Sequence, residues 1–314
     1  MRPTRKLPYR LFRPTDALLP LAFLLAALLG RGNLAFELFL AWYGVKLCAL
    51  ATADGLRTAF AAQPSGRYAQ GSALIALLMQ CAGAGIAMAL GRHFHPVPML
   101  LPLVGCGLLL NIEHVLYEYL FAVGDPGSAQ LCRCITSGLM LAGMLLCAPR
   151  EVTSPDSEGW NMLWPIIASG ASVLVGLAVS LCVGGRLRPR LNPEPLRRAP
   201  LALLQTALFP ALWLGIAHFT GFGGATALPL YAGLAVYAAC RVPFRRAPRE
   251  AAPMNWTLLI VALFAVLAGA PVLAGWISYD YPLFREIPYV CMAIVLGCAC
   301  GFGMYGNIAK NSNE

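Results

Sequence analysis

About ten apolar stretches, each close to the roughly 20 residues that a helix needs to cross a bilayer, follow one another along this chain of 314 residues. They fall at 15–30, 34–54, 71–91, 98–122, 129–148, 161–183, 201–219, 223–240, 256–277 and 288–308. In hydrocarbon every backbone N–H and C=O must find its partner inside the protein, so segments of this length are helices. Composition points the same way: 59% of residues are hydrophobic and 12% charged, where a soluble domain carries about 25% charged residues. The expected fold class is all-α, a polytopic membrane protein of about ten transmembrane helices, with nothing long left over for a soluble domain.

The basic residues orient this bundle. Arg2, Arg5, Lys6, Arg10 and Arg13 precede the first span, Arg57 and Arg67 follow the second, and Arg133 opens the fifth. Arg186, Arg188, Arg190, Arg197 and Arg198 follow the sixth; Arg241, Arg245, Arg246 and Arg249 follow the eighth; Lys310 closes the chain. With ten spans all of these lie on one side, against Arg31, Arg92, Arg150 and Arg285 on the other, which makes both termini cytoplasmic. The first span follows a charged head as a signal peptide does, but no small-x-small cleavage site follows it, so it is read as an uncleaved helix. The net charge of +9 is therefore a topology signal with some attraction to anionic membrane lipids, and not a nucleic-acid footprint. The expected location is the cell membrane, crossed many times.

Two polar interruptions, "PREVTSPDSEGWN" at 149–161 and "GGRLRPRLNPEPLRRAP" at 184–200, divide the chain into a front half, 1–149, and a back half, 150–314, of five helices each. Five is odd, so the second half would enter from the opposite face, an arrangement common among transporters. Nine of the eleven cysteines lie inside spans, where cysteine acts as a small apolar residue. Cys132 with Cys134, and Cys298 with Cys300, have a spacing that points the two sulfurs about 200° apart on a helix, which suits packing better than one shared metal.

Ionisable groups inside a bilayer cost about 2.5–3.5 kcal/mol each at a helix centre, so each is a functional candidate. The densest set is in "NIEHVLYEYLFAVGDPG", 111–127. Asn111, His114 and Glu118 form one stripe at i, i+3, i+7, and Glu113 and Tyr117 a neighbouring one at i, i+4. Together they make a broad polar face that must meet protein or a water-filled cavity. Lys46, deep in the second span, is the foremost counter-charge, and Arg133 is placed to neutralise Glu118. The face suits a proton- or cation-coupled site, or the floor of a site for an anionic or sugar-bearing solute; a buried ion-pair network that fixes helix packing is the alternative. His93 and His95 lie at an outer helix end, and His218 with Gln205 is the main polar feature of the back half.

Enzyme signatures are missing: there is no G-x-S-x-G elbow, P-loop or H-E-x-x-H, nor an aspartate-rich pair for a metal–pyrophosphate complex. The expectation is a protein that is not an enzyme and has no catalytic residues, cofactor or metal.

The stretch "RTAFAAQPSGRYAQGSALIALLMQCAGAGIAMALG" (57–91), followed by "PMLLPLVGCGLLLNIEHVLYEYLFAVGDPGSAQLCRCITSGLMLAGMLLCAP" (98–149), resembles the multidrug/oligosaccharidyl-lipid/polysaccharide flippase superfamily. The likeness rests on the small and basic turn after the second span and on Gly124-Asp125-Pro126 after the fourth. It implies export or flipping of a lipid-linked or amphiphilic solute through a cavity lined by the polar face of the fourth span. A second likeness, in architecture alone, is to the drug/metabolite transporter superfamily, with ten helices, cytoplasmic ends and a five-plus-five design. A third reading is a non-transporting membrane subunit whose polar face pairs with a protein partner.

Overall fold

The computed structural model describes residues 14–56, 66–93, 95–123, 126–147, 162–184, 189–219, 227–240 and 282–303. Among them the fold is all-helical, without a strand. After a 3₁₀ turn, Pro14–Ala17, come α1 (Leu18–Ala26), α2 (Gly32–Cys48), α3 (Gly66–Gly91), α4 (Val97–Ala122), α5 (Pro126–Leu146) and α6 (Leu163–Gly184). A single turn, Glu194–Arg197, precedes α7 (Ala199–Phe219), α8 (Ala227–Cys240) and α9 (Pro282–Gly303).

Six continuous segments among the described residues are long and apolar enough to cross a membrane: Thr15–Cys48, Tyr68–Gly91, Val97–Ala122, Pro126–Leu146, Leu163–Val183 and Ala199–His218. The first of these is two helices. The backbone leaves helical geometry at Leu29 and Gly30, where Gly30 has φ +84°, a value that glycine adopts at no steric cost. Phe23 then packs against Phe39 and Trp42, with ring centroids 6.1 and 5.9 Å apart. On a straight helix residues 23 and 42 would be about 28 Å apart, so α1 and α2 form a hairpin. The predicted spans 15–30 and 34–54 thus turn back on each other where expected.

The second of them departs from expectation. Instead of one helix over 34–54, α2 stops at Cys48, and Leu50 and Ala51 take left-handed backbone with φ 54° and 49°. A new helical stretch then covers 52–56. The Ala51 N–H donates to the Lys46 carbonyl at 2.9 Å, closing the end of α2. Two consecutive non-glycine residues in this region cost about 1–2 kcal/mol each, and no proline or glycine announces the break. The predicted span 256–277 and the Gly124-Asp125 turn lie outside the described residues, and α8, at 14 residues, is shorter than a full span.

α4 packs against α3, α5 and α6, and α2 crosses it. α6, from the back half, lies along α4 and α5; for example, Gly143 of α5 faces Trp164 and Ala168. α8 joins the 3₁₀ turn, through Ala17 with Ala235 and Ala239, and α1, through Phe23 with Tyr231, and it packs most extensively on α9. α8 and α9 run in the same direction, since Gly233 meets Ala293 and Cys240 meets Gly301. The last residue of α8 and the first of α9 therefore lie at opposite ends of the bundle.

Outward faces are apolar: Leu101 is 63% exposed and Leu174 68%. Lys46, Asp54, Glu113, Glu118 and Arg133 are all buried. A water-soluble bundle would invert this distribution.

Gly107 sits where α2 crosses α4, and a Cβ there would come within 2.6 Å of the Ala41 carbonyl oxygen. Gly105, on the same helix, has open space around it. Gly107→Ala should lower stability by about 1–3 kcal/mol through overpacking, while Gly105→Ala leaves it unchanged, as measured by unfolding of the detergent-solubilised protein. Equal stability of the two variants would refute the close crossing.

Candidate functional site

The polar face of α4 is turned inward along its whole length. Asn111, Glu113, His114, Tyr117 and Glu118 are all buried, as is Lys46. Burial without water demands partners for each, and they come from several elements.

Asn111 holds backbone: its side-chain amide donates to the carbonyls of Trp42 (2.9 Å) and Gly107 (2.8 Å), clamping the α2–α4 crossing. Glu113 accepts from Arg133 of α5, Nη1 to Oε2 at 2.8 Å. The same guanidinium lies over the Tyr117 ring, 4.3 Å from its centroid, and its Nη2 contacts His114 Nδ1. The expectation that Arg133 answers Glu118 is therefore modified: its direct ion pair is with Glu113. The i, i+4 stripe Glu113–Tyr117 is the one that faces α5, so the guanidinium stacks on the ring and reaches the carboxylate one turn away. Glu118 stays buried and within electrostatic range of Arg133 and Tyr117.

Lys46 answers a carboxylate outside α4. Its ammonium is 2.9 Å from Asp54 Oδ2 and stands over the rings of Trp42 and Tyr43, at 5.3 and 5.9 Å. Asp54 is the junction that the sequence did not disclose. Its Oδ1 meets His114 Nε2 at 3.0 Å, and its Oδ2 accepts from Thr206 of α7 at 2.6 Å as well as from Lys46. In sequence it closes an apolar stretch, where a hydrated aspartate is ordinary; only the backbone break at Leu50–Ala51 turns it into the interior. Asp16 is likewise inconspicuous at the end of the basic leader. It accepts a hydrogen bond from the Tyr117 hydroxyl at 2.8 Å, with Thr15 3.1 Å from the same hydroxyl oxygen.

The result is one continuous chain, Lys46–Asp54–His114–Arg133–Glu113, with two fixed cations, two carboxylates and an imidazole between them. It borders a cavity of about 50 Å3 whose wall includes Asp16, Lys46, Asp54, His114 and Arg133, with Leu19, Trp42 and Leu234 as its apolar side. Such a volume suits one or two water molecules or a small ion. Gln205 and Thr206 tie α7 to this region: the hydroxyls of Tyr43 and Tyr237 donate to the Thr206 and Gln205 carbonyls. Among the described residues no group of three or more His, Cys, Asp and Glu side chains is placed to hold a metal. His93, His95 and His218 lie away from this chain, at exposed or half-exposed positions.

Comparison with protein-family models, with curated proteins and with solved structures returns no match.

Leaving a buried charge unpaired costs more than exchanging the pair for apolar groups. Arg133→Met should cost about 3–5 kcal/mol of stability, and adding Glu113→Leu should restore most of it. Unfolding of both variants in detergent checks this; a double variant no more stable than the single one would show that Glu113 is not the partner that matters.

Proposed function

We propose that the chain is an integral membrane transporter of the cell membrane, in which the charge chain from Lys46 to Glu113 is the solute- and ion-binding centre. One observation carries this reading: Lys46 of α2, Asp54 of the stretch 52–56, His114 of α4 and Arg133 of α5 are joined inside an otherwise apolar bundle and share a cavity wall, with Glu113 behind Arg133. Ion pairs are a poor way to stabilise such a bundle, because apolar side chains of the same volume would serve as well or better. They are an effective way to bind a charged or polar solute where lipid would otherwise exclude it.

A helix interrupted beside the site supports the same reading. In secondary transporters the ends of broken helices supply ligands near the membrane interior, and here the break positions Asp54. Thr206 and Gln205 join the back half to this centre through hydrogen bonds that a rocking motion would make and break.

The cavity favours a small polar or charged solute. Sites for molecules of drug size measure about 300–1,000 Å3, and the present 50 Å3 would admit a lipid-linked solute only after it widens.

Protein reconstituted in liposomes and presented with a panel of small cations, anions and zwitterions on a solid-supported membrane should give solute-evoked currents for at least one class. Asp54→Asn and Glu113→Gln should reduce those currents by roughly tenfold or more while the proteins stay folded, the loss of one charged contact being worth at least about 1.4 kcal/mol. Wild-type currents no larger than those of empty liposomes, or variant currents equal to wild type, would overturn the reading.

A further inference from the structure

The two contacts of His114 define its protonation state. Arginine has five N–H donors and no acceptor, so the Arg133 Nη2 contact requires a bare lone pair on His114 Nδ1. The ring proton then sits on Nε2 and is donated to Asp54 Oδ1 at 3.0 Å. In this arrangement the ring is the neutral Nε2–H tautomer, held at both nitrogens.

We infer that Nδ1 of His114 is the proton-binding atom of the network, and that a proton arriving there expels Arg133. Resting on the transporter reading, this makes the coupling ion a proton. The step balances simply: the proton enters the Nδ1 lone pair, the Arg133–His114 hydrogen bond breaks, and no other bond to hydrogen changes. Arg133 keeps its bond to Glu113, on which it can pivot. The Asp54 contact changes from a neutral hydrogen bond into an ion pair.

Charged and polar groups face the ring from every side. From α2 Lys46 shares Asp54 with the ring; from α5 Arg133 faces Nδ1. From α4 itself Tyr117 stacks on the ring, with centroids 6.0 Å apart, while Glu113 holds Arg133 and Glu118 lies within its field. Asp16 of the first turn and Tyr237 of α8 line the same cavity. A new imidazolium repels Lys46 and Arg133 together, and both face the cavity that Asp16 also borders. Proton uptake thus adds a third positive charge to the cavity wall beside Lys46 and Arg133 and leaves Arg133 Nη2 without its acceptor, which would create a site for an anionic or carboxylate-bearing solute. Proton and such a solute would then bind together and travel together.

Nitrogen NMR tests this on the protein itself. A His93→Gln/His95→Gln/His218→Gln variant leaves His114 as the one histidine of the chain's four, and the three replaced residues lie away from the charge chain. With ring-labelled histidine in nanodiscs, His114 should show a bare Nδ1 and a protonated Nε2 at about pH 8, and should convert to imidazolium as the pH is lowered across the range in which the protein stays folded. Adding Arg133→Met should remove one cation from beside the ring, so that imidazolium forms at a higher pH while the Asp54 contact keeps the neutral ring in its Nε2–H form. If the triple variant does not fold, uniformly labelled wild type should show a histidine locked in the Nε2–H form that is lost or shifted in Arg133→Met. An Nδ1–H tautomer, an imidazolium at every pH, or a ring that stays neutral until the protein unfolds in acid would overturn the inference. The predicted tautomer and its acid conversion in a protein that evokes no solute current would sink the transporter reading and leave the proton site standing.

Discussion

Asp54 is the point on which the interior depends. Its two carboxylate oxygens serve an ammonium, an imidazole and a hydroxyl, from α2, α4 and α7. A carboxylate can accept about four hydrogen bonds, so it can be a hub where a lysine or arginine, donating only, cannot. Each of its partners is itself held by something else: Lys46 by the faces of Trp42 and Tyr43, His114 by Arg133, and Thr206 through its carbonyl by Tyr43. Removing the carboxylate would leave two cations and a neutral ring sharing one buried volume.

The backbone break at Leu50–Ala51 is the structural cost of that hub. Had α2 continued as a regular helix, residue 54 would sit about two turns beyond Lys46, roughly 12 Å along the axis, too far for a contact of 2.9 Å. The left-handed pair shortens that path and brings residue 54 back beside residue 46. Strain of this kind persists where the surroundings over-determine it, and here three hydrogen-bonding partners do so.

What the sequence makes legible comes from periodicity. Helical spacing alone shows that Asn111, Glu113, His114, Tyr117 and Glu118 share one side of α4, and all are buried. Hydropathy finds each long described helix, with ends up to about six residues from those expected, and places the hairpin turn near Gly30. It cannot find Asp54, because the break is made by Leu50 and Ala51, residues that ordinarily continue a helix, and their conformation is imposed by packing. It also cannot choose between Glu113 and Glu118 as the partner of Arg133, since both lie within reach of α5 and the choice depends on how the guanidinium stacks on Tyr117.

The same stacking explains why the network is a chain and not a cluster of independent pairs. Laid over Tyr117, the planar guanidinium can direct Nη1 at Glu113 and Nη2 at His114 simultaneously, and a lysine at this position would offer no such fork. The imidazole passes the constraint on, because fixing one nitrogen as an acceptor makes the other a donor. Charge placed at Glu113 is thereby felt at Asp54 through three hydrogen bonds of defined polarity, and at Lys46 through a fourth contact. Arg133 donates both ways along the chain, to Glu113 and through His114 to Asp54, and a single added proton at His114 breaks it at its middle.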